Sequence, residues 1–193
     1  MKKIMFNDRY GLTKAVLEGK KTMTRRLCNF KVPDEEIGKI LNHSPEYLIS
    51  KNPYKVGEIV AVAQRYQDIF DYSNCVNPYA WEDDYKPSGW TNKMFTKAEL
   101  MPHKIRITSI RAERLQNISD EECLREGVGV SATDNLVGFP IAIPFNYYIG
   151  RDEKGYRYVT PREAFSVLID KVSGRGTWQS NPYVWVYEFE LLN

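Results

Sequence analysis

The sequence predicts an α+β or mainly β fold: a small, mostly antiparallel sheet closed into a barrel, with short helices packed on its ends. Three observations support this prediction. Segments with a strand pattern outnumber helical ones, the helical segments are short and scattered, and the chain ends in a strongly apolar strand, YVWVYEFELL. A small sheet buries its apolar face by closing on itself or by packing against helices.

The composition is that of a globular protein. The chain has 193 residues, of which 42% are hydrophobic and 27% are charged, and this length is typical of one domain with its own core. We therefore predict a single domain over residues 1–193. No apolar run approaches the roughly 18 residues of a membrane span, and MKKIMFNDRY lacks the apolar segment of a signal peptide. These features predict a cytoplasmic protein with no membrane partner.

The cysteines and histidines predict no metal site. Cys28, Cys75 and Cys123 are odd in number and far apart, which is typical of reduced structural thiols. Together with His43 and His103 they form no zinc-ligand spacing. We expect neither a metal nor a cofactor.

The first elements are a helix and a strand. Leu12, Ala15 and Val16 share one helical face, and Gly19 follows at a position suited to ending the helix. Residues 22–27 alternate in character and carry two threonines, which predicts a strand.

The middle of the chain is less regular. Residues 28–55 hold three prolines and predict a long connection, after which residues 59–63 predict a buried strand. Residues 67–103 predict an insertion, because so long an irregular segment inside a compact domain is usually inserted or functional. Its Trp81 and Trp90 either pack the insertion down or stack on nucleobases, which is worth roughly 1–3 kcal/mol for each base.

The apolar pattern in the second half of the chain predicts two more strands. Ile105 and Ile107 face one side of a predicted half-buried strand that begins near residue 104. In the last strand Trp185, Tyr187 and Phe189 fall on one face, which we expect to join the core.

Two capping signals predict helices between these strands. Ser119 and Glu122 have the spacing of a capping box. Thr160 precedes a proline, a strong start for a second helix that we interpret as structural. The intervening residues, about 129–160, predict a second elaboration that includes a tyrosine-rich hairpin.

The run LEGKKTMTRR, residues 17–26, concentrates positive charge in a chain whose net charge is only +2. So small a net charge excludes a protein that coats DNA generally, and a nucleic-acid role would need a local cluster. The run is therefore either a solvated strand edge guarded by lysines or a ligand pocket or phosphate patch. Its cations and hydroxyls are Lys20, Lys21, Thr22, Thr24, Arg25 and Arg26.

Four blocks of sequence occur in an order that is typical of one family: LEGKKTMTRR, VGEIVAVAQ, HKIRITSIRAERLQNISDEECLREGV and NPYVWVYEFELL. With these blocks the chain resembles the ASCH domain, in the larger form carried by phages and prophages. Residues 28–53, 67–102 and 129–176 lie outside the motifs. The resemblance implies a PUA-like β-barrel that binds RNA or a nucleoside or nucleotide.

The resemblance also implies candidate catalytic residues. Some small bacterial members are amidohydrolases that remove the acetyl group from N4-acetylcytidine, using the Lys and second Thr of a G-x-K-T-x-T-x-R run and a Glu on a later short helix. These positions match Lys21, Thr24 and Glu126. The ligand-binding residues that we predict around them are Lys20, Thr22, Arg25, Arg26, Trp81 and Trp90.

Amide hydrolysis sets chemical and geometric conditions on these residues. The hydroxyl of Thr24 needs a base, and Lys21 can serve only if its pKa falls well below about 10.4. Burial and neighbouring cations lower that pKa whereas Glu126 raises it, so the sequence leaves the net direction open. Glu126 would carry a proton to the leaving amine. Because strand side chains alternate, we predict that Lys21 lies in the turn after Gly19, before the strand proper.

One block departs from the family pattern. Residues 61–64 read Ala-Val-Ala-Gln, where phage-type members usually read Trp-Val-Arg-Glu. If that strand lines the pocket, the chemistry differs or is lost. Three hypotheses therefore stay open: a module that binds RNA or a nucleoside, an amidohydrolase, and a phage-encoded interaction protein with a vestigial pocket.

Overall fold

The computed structural model describes residues 1–28, 45–69, 87–131, 146–149 and 158–192. The strands and helices within these ranges are β1 (Lys3–Ile4), α1 (Leu12–Leu17), β2 (Met23–Leu27), α2 (Pro45–Ser50), β3 (Ile59–Val62), α3 (Tyr66–Ile69), β4 (Lys104–Arg114), α4 (Asp120–Arg125), β5 (Gly129–Ser131), β6 (Asn146–Tyr148), α5 (Pro161–Ser173), α6 (Thr177–Ser180) and β7 (Tyr183–Leu192).

Five of the strands form one mixed sheet in the order β1-β3-β4-β7-β2. β1 runs parallel to β3, and the other neighbours are antiparallel. β5 and β6 form a separate two-stranded sheet. The α+β class is thus confirmed. Within the described part of the chain β1 and β2 are the sheet edges, and closure into a barrel stays a prediction.

β7 lies between β4 and β2 and forms the centre of the core. Its buried apolar side chains are Val184, Trp185, Val186, Tyr187 and Phe189. They lie on both faces of the strand, whereas the sequence pattern predicted a core face for the aromatic residues only. Burying each such side chain contributes about 1.5–3 kcal/mol. This rigid strand fixes β2 beside it, with Thr24 opposite Tyr187 and Arg26 opposite Trp185.

The capping signals in the sequence correctly mark the two helices that border the site. Ser119 and Glu122 form a reciprocal capping box at the start of α4. The hydroxyl of Thr160 accepts a hydrogen bond from the backbone N–H of Glu163 at the start of α5. Gly127 follows the C-cap of α4, with φ of +100°, and a Cβ there would lie only 3.0 Å from Leu12. The chain therefore turns there in a conformation that suits glycine and passes close to α1.

Both predicted elaborations are described only in part. Residues 70–86, which include Trp81, lie outside the described ranges. The described end of that insertion holds two short 3₁₀ turns, Lys93–Phe95 and Ala98–Leu100. In the second elaboration an antiparallel bridge pairs Tyr147 with Tyr158, at the base of the predicted hairpin.

Candidate functional site

A cavity of about 340 Å³ lies between β2 and the second half of α5. One side is polar and is formed by Lys21, Thr24, Arg25, Arg26 and Glu126. The apolar part of the lining includes Phe6, Leu12, Phe165, Leu168, Ile169 and Val172. The volume is at the lower end of the range of about 300–1,000 Å³ that is usual for small-molecule sites.

Lys21 reaches the cavity from the turn between α1 and β2. Gly19 has φ of +70°, and the backbone N–H groups of both Lys20 and Lys21 donate to the carbonyl of Ala15 at 2.9 Å. β2 begins two residues later, at Met23. Lys21 therefore lies in the turn, as we predicted from the alternation of strand side chains. Its side chain does not follow that alternation between the two faces of the sheet.

The ammonium of Lys21 is held by Glu126 at the end of α4. Its Nζ lies 2.6 Å from Oε2 of Glu126 and 2.6 Å from the backbone carbonyl oxygen of the same residue. Both side chains are almost fully buried, with 2% and 5% of their surface exposed. This is a desolvated ion pair, in which each group depends on the other for its stability.

Burial decides the direction of the Lys21 pKa shift, which the sequence left open. Loss of water lowers the pKa of the Lys21 ammonium, against the opposing attraction of Glu126, and the nearby charges of Arg26 and Arg25 lower that pKa further. A lysine in this environment gives up its proton more readily than an exposed one. It therefore meets the chemical condition for a base near neutral pH better than Lys20 does.

Thr24 lines the same cavity, whereas Thr22 does not. Thr24 is 96% buried, and among the described residues no hydrogen bond engages its hydroxyl. Thr22, two residues earlier, accepts a hydrogen bond from Nε of Arg125 at 3.1 Å on the outer side of the strand. The structure thus brings Lys21, Thr24 and Glu126 together at one cavity.

Arg25 is surrounded by carboxylates. Its Nη1 lies 3.3 Å from Oε1 of Glu126, and its Nη2 lies 2.7 Å from Glu113 and 2.6 Å from Glu122. Burial disfavours its charge, but Glu126, Glu113 and Glu122 outweigh burial and raise the pKa of Arg25. Both terminal nitrogens of Arg25 are therefore bound to protein carboxylates and poorly placed for the ligand contact that we predicted, while its buried Nε–H has no hydrogen-bond partner in the described part of the chain.

Arg26 is the cavity cation without a carboxylate partner among the described residues. Its Nη2 donates to the backbone carbonyl of Met5, and its guanidinium lies 5.6 Å from the centroid of the Phe6 ring. Its buried Nε–H has no hydrogen-bond partner in the described part of the chain. Burial lowers the pKa of Arg26. Arg26 is thus a donor available to a carbonyl, a developing oxyanion or another anionic group.

The remaining predicted ligand contacts lie elsewhere. Lys20 is exposed, pairs with Glu18 at 2.7 Å and borders a different cavity of about 270 Å³. Trp90 packs against the small core cluster around Tyr66 and Met101 and does not line the 340 Å³ cavity. Trp81 lies outside the described residues, so its role stays a prediction.

The departure at residues 61–64 lies away from the cavity. Ala61, Val62, Ala63 and Gln64 are all buried, and none of them lines the site. Ala61 belongs to the cluster of Tyr66 and Met101 instead. The residues at positions 61–64 therefore do not form any of the described walls of the cavity.

Sequence reasoning missed the apolar wall and the carboxylates that hold Arg25. We interpreted the Thr160 helix as structural, but its residues Phe165, Leu168 and Ile169 line the cavity as well as packing the core. An apolar helical stripe does not reveal which part of it faces an opening. Val172 continues the stripe in the sequence, and only the structure shows that it remains 39% exposed at the cavity.

The described residues offer neither a metal centre nor a membrane helix. Within the described ranges no three or more His, Cys, Asp or Glu side chains are grouped so as to hold a metal ion. Across the same ranges every helix is too short or too polar to cross a bilayer.

The arrangement contains the groups that acyl transfer requires. It offers a hydroxyl, an amine with a lowered pKa, a carboxylate for proton transfer and an unpaired N–H donor, all at one small cavity. Comparisons of the chain with protein-family models, with curated proteins and with solved structures find no match.

Proposed function

We propose that the cavity binds a nucleoside or a single nucleotide. The observation that carries this proposal is the convergence of Lys21, Thr24, Arg26 and Glu126 at a cavity that apolar residues of α5 also line. A nucleobase has flat apolar faces and a polar edge. Its face would pack against Phe165 and its neighbours on α5, while the polar edge would meet the hydroxyl of Thr24 and the free N–H of Arg26.

The charge arrangement favours a small ligand over a long strand of RNA. Three of the four cations in residues 20–26 are paired with carboxylates: Lys20 with Glu18, Lys21 with Glu126, and Arg25 with three glutamates. Binding of an RNA backbone depends on unpaired cations that displace counterions from many phosphates. The described part of this run offers only Arg26 for that purpose.

The proposal includes the PUA-like barrel of the ASCH family. Its support is the proximity of the two sheet edges. Arg26 on β2 donates to the carbonyl of Met5, the residue after β1, and Phe6 packs against Phe189 of β7 at 5.7 Å between ring centroids. Edge strands that approach in this way are what a sheet curling toward closure requires.

Ligand-linked stabilisation tests the binding proposal. We expect nucleosides or modified nucleosides to raise the melting temperature, with about 2.7 kcal/mol of stabilisation at a concentration of 100 Kd. The matched variants are Thr24→Ala, which should weaken binding by about 0.5–1.5 kcal/mol for one lost hydrogen bond, and Thr22→Ala, which should not. The shift should change little with salt, unlike a set of phosphate contacts. Absence of a shift with every nucleoside would contradict the proposal and favour an interaction protein with a vestigial pocket.

A second candidate function is hydrolysis of an exocyclic amide, as in N4-acetylcytidine. The specific observation behind it is the lowered pKa of Lys21 beside a hydroxyl and a carboxylate. In this mechanism the neutral amine of Lys21 takes the proton of Thr24, whose oxygen bonds to the acyl carbon. The carbonyl electrons move to the oxygen, which Arg26 stabilises.

Collapse of that intermediate then breaks the C–N bond. The proton passes from Lys21 to Glu126, which lies 2.6 Å away, and on to the leaving amine. The products of this half-reaction are the free amine and an acyl ester on Thr24. Water hydrolyses the ester, returns a proton to the Thr24 oxygen and releases the carboxylic acid.

Incubation with N4-acetylcytidine tests this activity directly. We expect cytidine and acetate to form, and Lys21→Met to reduce the rate by about 10²-fold or more, the usual contribution of general acid–base catalysis. Lys20→Met is the matched control because Lys20 is exposed and paired with Glu18, and it should retain the rate. Turnover that survives Lys21→Met would rule out the mechanism but not the binding proposal.

A further inference from the structure

Glu126 is held by two cations, one at each carboxylate oxygen. Nζ of Lys21 lies 2.6 Å from Oε2, and Nη1 of Arg25 lies 3.3 Å from Oε1. The carboxylate therefore cannot rotate without breaking one of the two contacts. Its negative charge is divided between a lysine that needs to lose a proton and an arginine that never does.

Arg25 is itself fixed from two other elements. Its side chain has no exposed surface, and its second terminal nitrogen bonds to Glu113 on β4 and to Glu122 in the first turn of α4. Glu122 also accepts a hydrogen bond from the backbone N–H of Ser119. The guanidinium is thus anchored to a strand and to a helix start, which makes it a rigid support rather than a mobile ligand contact.

We propose that Arg25 is a positioning residue for the Lys21–Glu126 pair: it fixes the carboxylate and competes with Lys21 for its charge, so that the amine can act as a base. This inference rests on the proposed hydrolase function for its consequence in turnover. The geometry of the shared carboxylate is independent of that function.

Among the described groups around Lys21 the cations are Arg25 and Arg26, and of these two only Arg25 contacts Glu126. Charged groups face Lys21 from β2, where Arg25 and Arg26 lie, and from the end of α4, where Glu126 lies. The described side chains of α1 and α5 on this cavity are apolar apart from Ser173, and the Phe6 ring lies 5.9 Å from Nζ. Burial lowers the pKa of Lys21 most, Glu126 opposes that effect, and the charges of Arg26 and then Arg25 add to the lowering.

Arg111 provides a matched control. Like Arg25 it pairs with Glu113 and Glu122, but it does not contact Glu126. Its remaining partner is Glu188, at 2.8 Å on the outer side of the sheet. A general loss of the charge network would therefore follow from changing either arginine, whereas the proposed effect on Lys21 belongs to Arg25 alone.

The test is a pH titration of the Lys21 side chain by NMR, with labelled lysine and with Lys21→Met to assign the signal. In Arg25→Gln we expect the Lys21 titration midpoint to move to higher pH, and in Arg111→Gln we expect it to stay.

In turnover, Arg25→Gln should lower kcat at neutral pH by about 10–100-fold, as for other residues that orient a working group. KM should change little, and the rising limb of the pH–rate profile should move to higher pH.

Arg25→Lys serves as a second variant if Arg25→Gln does not fold. Lysine keeps the positive charge but lacks the planar fork that holds Glu126, Glu113 and Glu122 in place, so the Lys21 midpoint should lie between those of the wild type and a variant without the cation. A midpoint that is unchanged in a folded Arg25 variant, or that moves equally in Arg111→Gln, overturns the proposal. If the wild type has no turnover, the hydrolase function fails, and the NMR midpoints still decide the role of Arg25.

Discussion

Two clusters of ion pairs meet at Glu122 and differ in burial rather than in residue type. The inner cluster consists of Lys21, Arg25 and Glu126, whose side chains are 0–5% exposed. The outer cluster consists of Arg111, Arg125 and Glu188, whose side chains are 28–41% exposed. Arg25 and Arg111 bind different oxygens of Glu122.

Burial reverses the effect of an ion pair on the protonation of Lys21, although the carboxylates around Arg25 still raise the pKa of that residue. In the inner cluster burial lowers the pKa of Lys21 despite a carboxylate at 2.6 Å. In the outer cluster the hydrogen bond from Arg125 lowers the pKa of Glu188, so this carboxylate is stabilised in its charged form. An exposed pair is an ordinary surface contact, whereas a buried pair is costly in free energy and commonly marks a working site. The comparison therefore favours the inner cluster as the chemical centre.

The largest expected effect follows from removing one member of the inner pair. Glu126→Leu leaves the Lys21 ammonium buried beside Arg25 and Arg26 without its counter-charge. We expect the free energy of unfolding at pH 7 to fall by about 3–5 kcal/mol, the usual effect of breaking a buried ion pair. Urea denaturation followed by circular dichroism measures this.

The double variant Lys21→Met/Glu126→Leu separates charge from packing. Replacing both charges with apolar side chains of similar volume is often neutral or stabilising, so most of the lost stability should return. A double variant as unstable as Glu126→Leu would show that packing, not an unpaired charge, caused the loss.

A smaller effect is expected in the pH dependence of stability. Because the pKa of Lys21 is lowered in the folded protein, the unfolded chain alone holds this proton between that folded pKa and about 10.4. The free energy of unfolding of the wild type should therefore rise with pH in this window relative to Lys21→Met. Denaturant unfolding at a series of pH values from 7 to the midpoint of the unfolded lysine measures the difference.

Other groups also titrate at alkaline pH, and their effects on stability cancel when Lys21→Met is compared with the wild type. Burial raises the pKa of Cys123 to about 12, so every variant loses stability as the unfolded thiol ionises above about pH 8.5. That loss is common to the wild type and Lys21→Met. The hydrogen bond to Glu18 raises the pKa of Lys20, so a Lys20→Met comparison should not show the rise, and a rise of equal size there would contradict the assignment to Lys21.

The fold was predictable wherever the signal was local. Ser119 and Thr160 begin helices because capping depends on neighbouring backbone groups. β1 was missed because its two residues, Lys3–Ile4, carry no pattern of their own. Its parallel pairing with β3 makes the sheet mixed, and that pairing depends on a contact between residues 58 positions apart in the chain, Ile4 and Val62.

In the candidate site, too, the local features were predictable from the sequence and the long-range contacts were not. The position of Lys21 in the turn followed from Gly19 and from strand alternation, which are both local. The pairing of Arg25 with Glu113 and Glu122 did not, because these residues lie about 90–100 positions away. They reach Arg25 only after β4 joins the sheet on the far side of β7 and α4 packs near β2. Pairing between distant charges is set by tertiary structure, so a run of cations alone does not show which of them stays available.

The smallest expected effect lies in the outer cluster. Arg125→Met removes a contact of 2.8 Å to Glu188, but Arg111 still pairs with that carboxylate, and water screens both groups. We expect the free energy of unfolding at pH 7 to fall by only about 0.2–1 kcal/mol. Since the pKa of Glu188 is lowered mainly by Arg125, the difference from the wild type should persist above about pH 4.3 and vanish as the pH falls through the lowered folded value. It should also shrink in 1 M salt, where the screening length is about 3 Å. A loss as large as that of Glu126→Leu would mean that burial does not separate the two clusters.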